Sequence, residues 1–104
     1  MLIDIMRAAE IPAQEARFSN PPDIHAVYFD SVDTDGPDGF NRIATHDCIV
    51  EIYAPTTDPS IKARLEAVLD AHGIHYTTQG WHWLDSLRRY QEIYEFTYIE
   101  KIGG

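Results

Sequence analysis

The spacing of apolar residues changes character several times along the chain, and each change marks an element. Leu2, Ile5, Met6 and Ala9 fall on one helical face, so residues 2 to 10 are predicted as a short helix, which Pro12 ends. Residues 13 to 18 alternate weakly and read as extended chain, and Ser19-Asn20-Pro21-Pro22-Asp23 reads as a loop in which two prolines remove backbone donors. From Ile24 to Phe29 both alternating sets are largely apolar (Ile24, Ala26, Tyr28 against His25, Val27, Phe29), the pattern of a strand inside a sheet. Residues 30 to 41 are polar and contain Gly36, Pro37 and Gly39, which predicts a loop. A longer strand is expected over 43 to 54. It sets Cys48, Val50, Ile52 and Ala54 on one face and the mixed set Asp47, Ile49, Glu51 and Tyr53 on the other.

The clearest element follows. Asp58 is a good N-cap, Pro59 suits the first helical position, Ile61, Leu65, Val68, Leu69 and His72 mark one face, and Gly73 suits the position after the last turn. A helix over 59 to 72 is expected. Residues 74 to 79 read as a short strand, Gly80-Trp81-His82-Trp83 as a turn or strand continuation, and 89 to 101 as a last strand. Tyr90, Tyr94, Phe96 and Tyr98 share one of its faces. The fold class predicted is α+β: one mixed, mainly antiparallel sheet of four to five strands, with two helices on one face, in the order α-β-β-β-α-β-β. With 104 residues and no repeat or linker, residues 1 to 104 are expected to form a single domain.

Charge narrows the partners. Eight Lys and Arg face seventeen Asp and Glu, a net charge of −9. Grasping a nucleic-acid backbone needs clustered cations, so specific nucleic-acid binding is not expected. The excess acid suits solubility, a basic protein partner, or a surface that stays near DNA without adhering to it. No apolar run is long enough to span a bilayer, and no membrane partner is expected. The first residues carry an early Asp4 and no basic-then-apolar organisation, which argues against a signal peptide. The lone Cys48 permits no internal disulfide and fits a reducing compartment.

Asp33, Asp35 and Gly36 resemble part of a calcium loop, but that register puts Ser31 at the first ligand position, Pro37 at the seventh and Arg42 at the twelfth, where a bidentate Glu is needed. His25, His46, His72, His75 and His82 lack zinc-site spacing, and one cysteine cannot anchor such a site. Cys48 lies mid-strand among apolar neighbours, as a structural thiol does. No metal, cofactor or catalytic residue is expected, and the chain is read as an assembly protein rather than an enzyme. The acidic loop (Asp30, Asp33, Asp35, Asp38) and the rings of Trp81 and Trp83 are the candidate interface residues.

The run Ile11-Pro12, Phe18, Pro21-Pro22, Val27-Tyr28 resembles small phage tail proteins of the tail-terminator or tail-completion type. So do the strand His46-Asp47-Cys48-Ile49-Val50-Glu51-Ile52-Tyr53, the Pro-initiated helix after it and the closing strand Tyr90-Gln91-Glu92-Ile93-Tyr94-Glu95-Phe96. The likeness spans nearly the whole chain. It implies a virion protein that forms a ring, a hexamer, at the head-proximal end of a tail. Its partners would be the major tail-tube protein and the head connector or stopper. The long strands would then offer edges for ring contacts. Residues 23 to 38 hold five aspartates and no Lys or Arg. Facing a ring lumen, they would repel passing DNA; facing outward, they could meet a basic partner. Trp81-His82-Trp83 matches no motif of that family. A head–tail joining protein is the neighbouring reading. A monomeric acidic inhibitor or immunity-type protein and a small catalytic or ligand-binding α+β domain are those from other classes.

Overall fold

A computed structural model describes residues 1–35 and 42–102, with Arg42 and Ile102 described in their backbone only. In chain order the elements are α1 (Leu2–Ala8), β1 (Ala13–Glu15), β2 (His25–Asp35), β3 (Arg42–Ala54), α2 (Pro59–Ala71), β4 (Tyr76–Thr78), β5 (His82–Leu84) and β6 (Arg89–Ile102). All six strands belong to one sheet in the order β1-β2-β3-β6-β4, with β5 also on β6. Only the β1–β2 pair is parallel. The α+β class and the mixed, mainly antiparallel sheet agree with expectation. The sheet has one strand more than four to five, because His82–Leu84 pairs with Arg89–Gln91 as a short hairpin instead of continuing the preceding strand.

Two expectations are corrected. Residues 30 to 35 are not loop. They continue β2, each pairing with a β3 residue, from Asp30 opposite Cys48 to Asp35 opposite Ile43. Their composition reads as loop because residues 31 to 35 are exposed on both faces, so no alternation marks them. Register carried on from the apolar half holds it in the ladder. Asp38 and its neighbours lie outside the described residues. The second correction concerns edges: the 43–54 strand is interior, paired with β2 on one side and β6 on the other.

Two faces follow from the pairing. Ala26, Cys48, Val50, Ile52, Ala54, Tyr94, Phe96 and Tyr98 point to one side and are buried, together with Leu2, Ile5 and Met6 of α1 and Ile61, Leu65 and Leu69 of α2. Both helices therefore cover that face. α2 begins where the Asp58 side chain accepts the Ser60 N–H at 2.9 Å, and it ends at Gly73, whose φ of +67° suits a residue without Cβ. Arg64 Nε donates to the Ala9 carbonyl at 2.9 Å and ties the two helices together.

One buried charge fixes the β4 side of the body. Glu92 is fully buried, and its Oε1 accepts the N–H groups of Gln79, Gly80 and Ile93 at 3.2, 2.9 and 2.9 Å. Its Oε2 has no hydrogen-bond donor assigned, but the Lys62 ammonium lies 2.7 Å away as its counter-charge. The carboxylate thus pins the β4–β5 connection to β6 and ties α2 to the sheet. Replacing Lys62 by Ala leaves a buried carboxylate unpaired, at a cost of about 3–5 kcal/mol. Urea unfolding is expected to show that loss, whereas Lys101→Ala on the exposed strand end changes stability by less than about 0.5 kcal/mol.

Candidate functional site

The helices are shorter than the strands they cover, and the sheet runs on beyond them. β1 accompanies β2 only over Ala26–Tyr28, and β4 accompanies β6 only over Tyr94–Phe96. Ala16, at a left-handed φ of +63°, turns the chain away from β2 just after β1. Past that level three strands remain: residues 29–35 of β2, 42–49 of β3 and 97–102 of β6. This ribbon is an arm, and it accounts for the elongated outline of 49 × 26 × 21 Å.

The arm's two faces differ. On the face continuous with the core, His46 is 8% exposed and bridges all three strands. Its Nδ1 donates to Asp30 of β2, 2.8 and 3.0 Å from the two carboxylate oxygens, and its Nε2 donates to Glu100 of β6 at 3.1 Å. Its ring stacks on Tyr98 with centroids 4.3 Å apart. With both nitrogens facing carboxylates, the geometry is that of an imidazolium. Burial lowers its pKa, but the hydrogen bonds to Asp30 and Glu100 and their charges outweigh burial, and the net shift is upward. Cys48 lies beside Asp30, Sγ to Oδ1 3.8 Å, and burial followed by the Asp30 charge pushes its thiol up to about 12. A thiol so held stays protonated at neutral pH and is a poor nucleophile.

Among the described residues no helix covers the opposite face. Near the body, Phe18 packs edge-on to His25 and His25 stacks on Tyr53, which covers that end. Further out, Phe29, Ile49, Ile43 and Ile99 are exposed at 39, 37, 39 and 68%. These apolar side chains are interspersed with Ser31, Asp33, Asp47, Glu95, Thr97 and Lys101 on the same side. An apolar band rimmed by polar groups is the usual composition of a contact surface.

The predicted candidates separate accordingly. Asp30 is half-buried and belongs to the His46 clamp; Asp33 and Asp35 are exposed along the arm. Trp81 packs against the core. Trp83 is 45% exposed, with its ring edge-on to Tyr90 at 5.1 Å and its Nε1 donating to Asp85 at 3.4 Å. The two tryptophans therefore do not form one patch with the aspartates of the arm. Sequence reading missed His46 as the partner of both Asp30 and Glu100. Their 16- and 54-residue separations carry no local signal, and only the register of β2 and β6 on β3 brings them together.

No protein-family model matches the chain, and no curated protein matches it. Among solved structures the fold is shared with a chain of the structure titled "Virion of native gene transfer agent (GTA) particle". The superposition has a TM-score of 0.56 at 13% identity and covers 96% of this chain and 84% of that one. At that identity the likeness defines a common α+β fold along essentially the whole chain.

The two arm-and-body histidines shift in opposite directions, which gives a direct test. His25, lowered chiefly by burial, is expected to titrate below its ordinary value of 6.5, and His46 above it, in an NMR pH titration. Because the folded-state value of His46 is raised, its contribution is complete below pH 6.5 and is lost as pH rises through the folded value. Amide protection in residues 30–35 and 97–101, taken relative to the intrinsic exchange rate at each pH, should fall across that window, and His46→Gln should abolish the fall.

Proposed function

We propose that this chain is a structural subunit of a phage-type particle and acts at the head-proximal end of the tail, where it caps the tail tube and offers a docking surface to the head connector. The observation that carries this reading is the fold shared, over 96% of the chain, with a chain from a virion. The motifs that resemble tail-terminator proteins agree with it. So does the bare, apolar-banded sheet face, since a subunit that works by contact needs a surface left uncovered when it folds. In this reading the subunit forms a closed ring, a hexamer, through contacts between different surfaces of neighbouring copies. The tail-tube protein lies on one side of the ring and the connector on the other. The subunit works by shape and charge, with no catalytic step and no cofactor. The aspartates of the arm face a channel that DNA traverses or a basic partner.

Deleting the gene from its producing genome tests the reading. Electron microscopy is expected to show tails of uncontrolled length that carry no heads, and particles of normal form would overturn it. Tails of normal length beside unjoined heads would instead identify a head–tail joining protein. A wild-type particle count, with the chain recovered one-to-one on a basic enzyme, would identify an acidic inhibitor.

A further inference from the structure

The sheet face that looks away from both helices forms one continuous track across β2, β3 and β6. Outward from the body its rows are Val27-Glu51-Ile93, Phe29-Ile49-Glu95, Ser31-Asp47-Thr97, Asp33-Thr45-Ile99 and Asp35-Ile43-Lys101. Three strands span about 10 Å from first axis to last, the diameter of one helix with its side chains, and these rows extend about 27 Å. The packed rings of Phe18, His25 and Tyr53 close the body end. Along the track the exposed apolar residues fall into two groups, Phe29 with Ile49 and Ile99 with Ile43, on either side of the Ser31-Asp47-Thr97 row. A depression of about 330 Å³ lies at this middle, lined by Phe29, Ser31, Asp47, Ile49, Glu95 and Thr97.

We infer that this track receives one amphipathic helix of a different protein, which rests apolar side chains on the two groups and sets an arginine between them, against Asp47 and Glu95. The inference rests on the reading of the bare face as a docking surface and names what docks there. Charge decides the occupant. The track carries Asp33, Asp35, Asp47, Glu51 and Glu95 against Lys101. Among the described residues no Lys or Arg forms an ion pair with Asp33, Asp47, Glu51 or Glu95. A second copy laid face to face would bring this acidic surface onto its like, with one ammonium on each side to offset it. Nucleic acid and anionic bilayers meet the same repulsion. Asp47 excludes a wholly apolar partner, because covering both apolar groups also covers that carboxylate. Its hydrogen bond comes from the Thr97 hydroxyl at 2.8 Å, and a carboxylate taken out of water needs a cation opposite it.

Spacing favours arginine on a helix. Asp47 and Glu95 are diagonal neighbours on β3 and β6, their Cα atoms roughly 7 to 8 Å apart. A guanidinium presents five donors in a plane and reaches both carboxylates, while its methylenes lie over Ile49. Successive rows of the track are about 6.8 Å apart, and four residues of helix rise about 6 Å. An arginine with apolar residues four positions before and four after it therefore lies over Ile49, Asp47 and Ile99 in turn. One further turn reaches Ile43.

Titration of the isotope-labelled full-length chain with synthetic helical peptides tests this by NMR. The first peptide, about 18 residues to match the track, carries leucine along one face with arginine at its centre and flanks. In the second, glutamate replaces arginine, and the third scrambles the order of the first. The arginine peptide is expected to shift the side-chain signals of Ile43, Ile49 and Ile99 saturably, and the other two to bind at least about tenfold more weakly. Asp47→Lys should weaken the arginine peptide about tenfold with thermal unfolding retained, whereas Asp70→Lys, on the exposed side of α2, should leave its affinity unchanged. Several results would overturn the inference: no binding, equal binding of the glutamate peptide, equal effects of the two lysine variants, or shifts centred on Val32 and Thr34 or on the helices. So would Ile49 and Ile99 signals that move with the chain's own concentration as its sedimenting mass doubles, since the occupant would then be a second copy. Deletion of the gene reads the role in the tail and these titrations read the docking chemistry, so either reading can fail alone.

Discussion

A mismatch of lengths governs this structure. Thirteen residues of β3 extend for about 43 Å, whereas the 13 residues of α2 rise only about 20 Å and the seven of α1 about 10 Å. Two such helices can shield one end of one face and no more. The remaining sheet must then hold together without a core of its own. The arm, the bare face and the open edges are all consequences of that shortfall.

The two ends of the sheet hold together by different means. In the body, apolar side chains of both helices and the sheet exclude water, and the one carboxylate among them, Glu92, is satisfied by three backbone N–H groups and a lysine. In the arm, where none of the described residues is helical, His46 with its two carboxylates laces β2, β3 and β6 through side chains. The body clamp organises a connection and depends on desolvation. The arm clamp engages both carboxylates only when the imidazole carries both of its protons.

This division also gives the acidity of the chain a location. Asp30 is spent within the fold, holding His46, while Asp33 and Asp35 lie exposed along the β2 edge. Acid on one edge and the exposed Ile99 on the other make the arm asymmetric. Folding leaves the apolar-banded face of the arm uncovered by either helix.

Much of the fold is legible in the amino-acid order, because local chemistry decides it. The Asp58-Pro59 start and Gly73 stop delimit α2, and the alternation of Cys48, Val50, Ile52 and Ala54 marks the buried face of β3 before any pairing is known. The arm is not legible in this way. Residues 30 to 35 carry the polar composition of a loop, and they are strand only because their backbone groups meet those of residues 43 to 48. Trp83 looks like half of an aromatic pair, but Trp81 packs against the core while Trp83 sets its ring against Tyr90. Asp30, His46 and Glu100 are unremarkable one by one, and their juxtaposition is set by register across three strands. Sequence determines which segments alternate and where helices begin and end, since those depend on neighbours a few residues away. Tertiary structure alone decides which strands lie side by side, how far the helices reach along them, and hence which edges and which face stay open to another molecule.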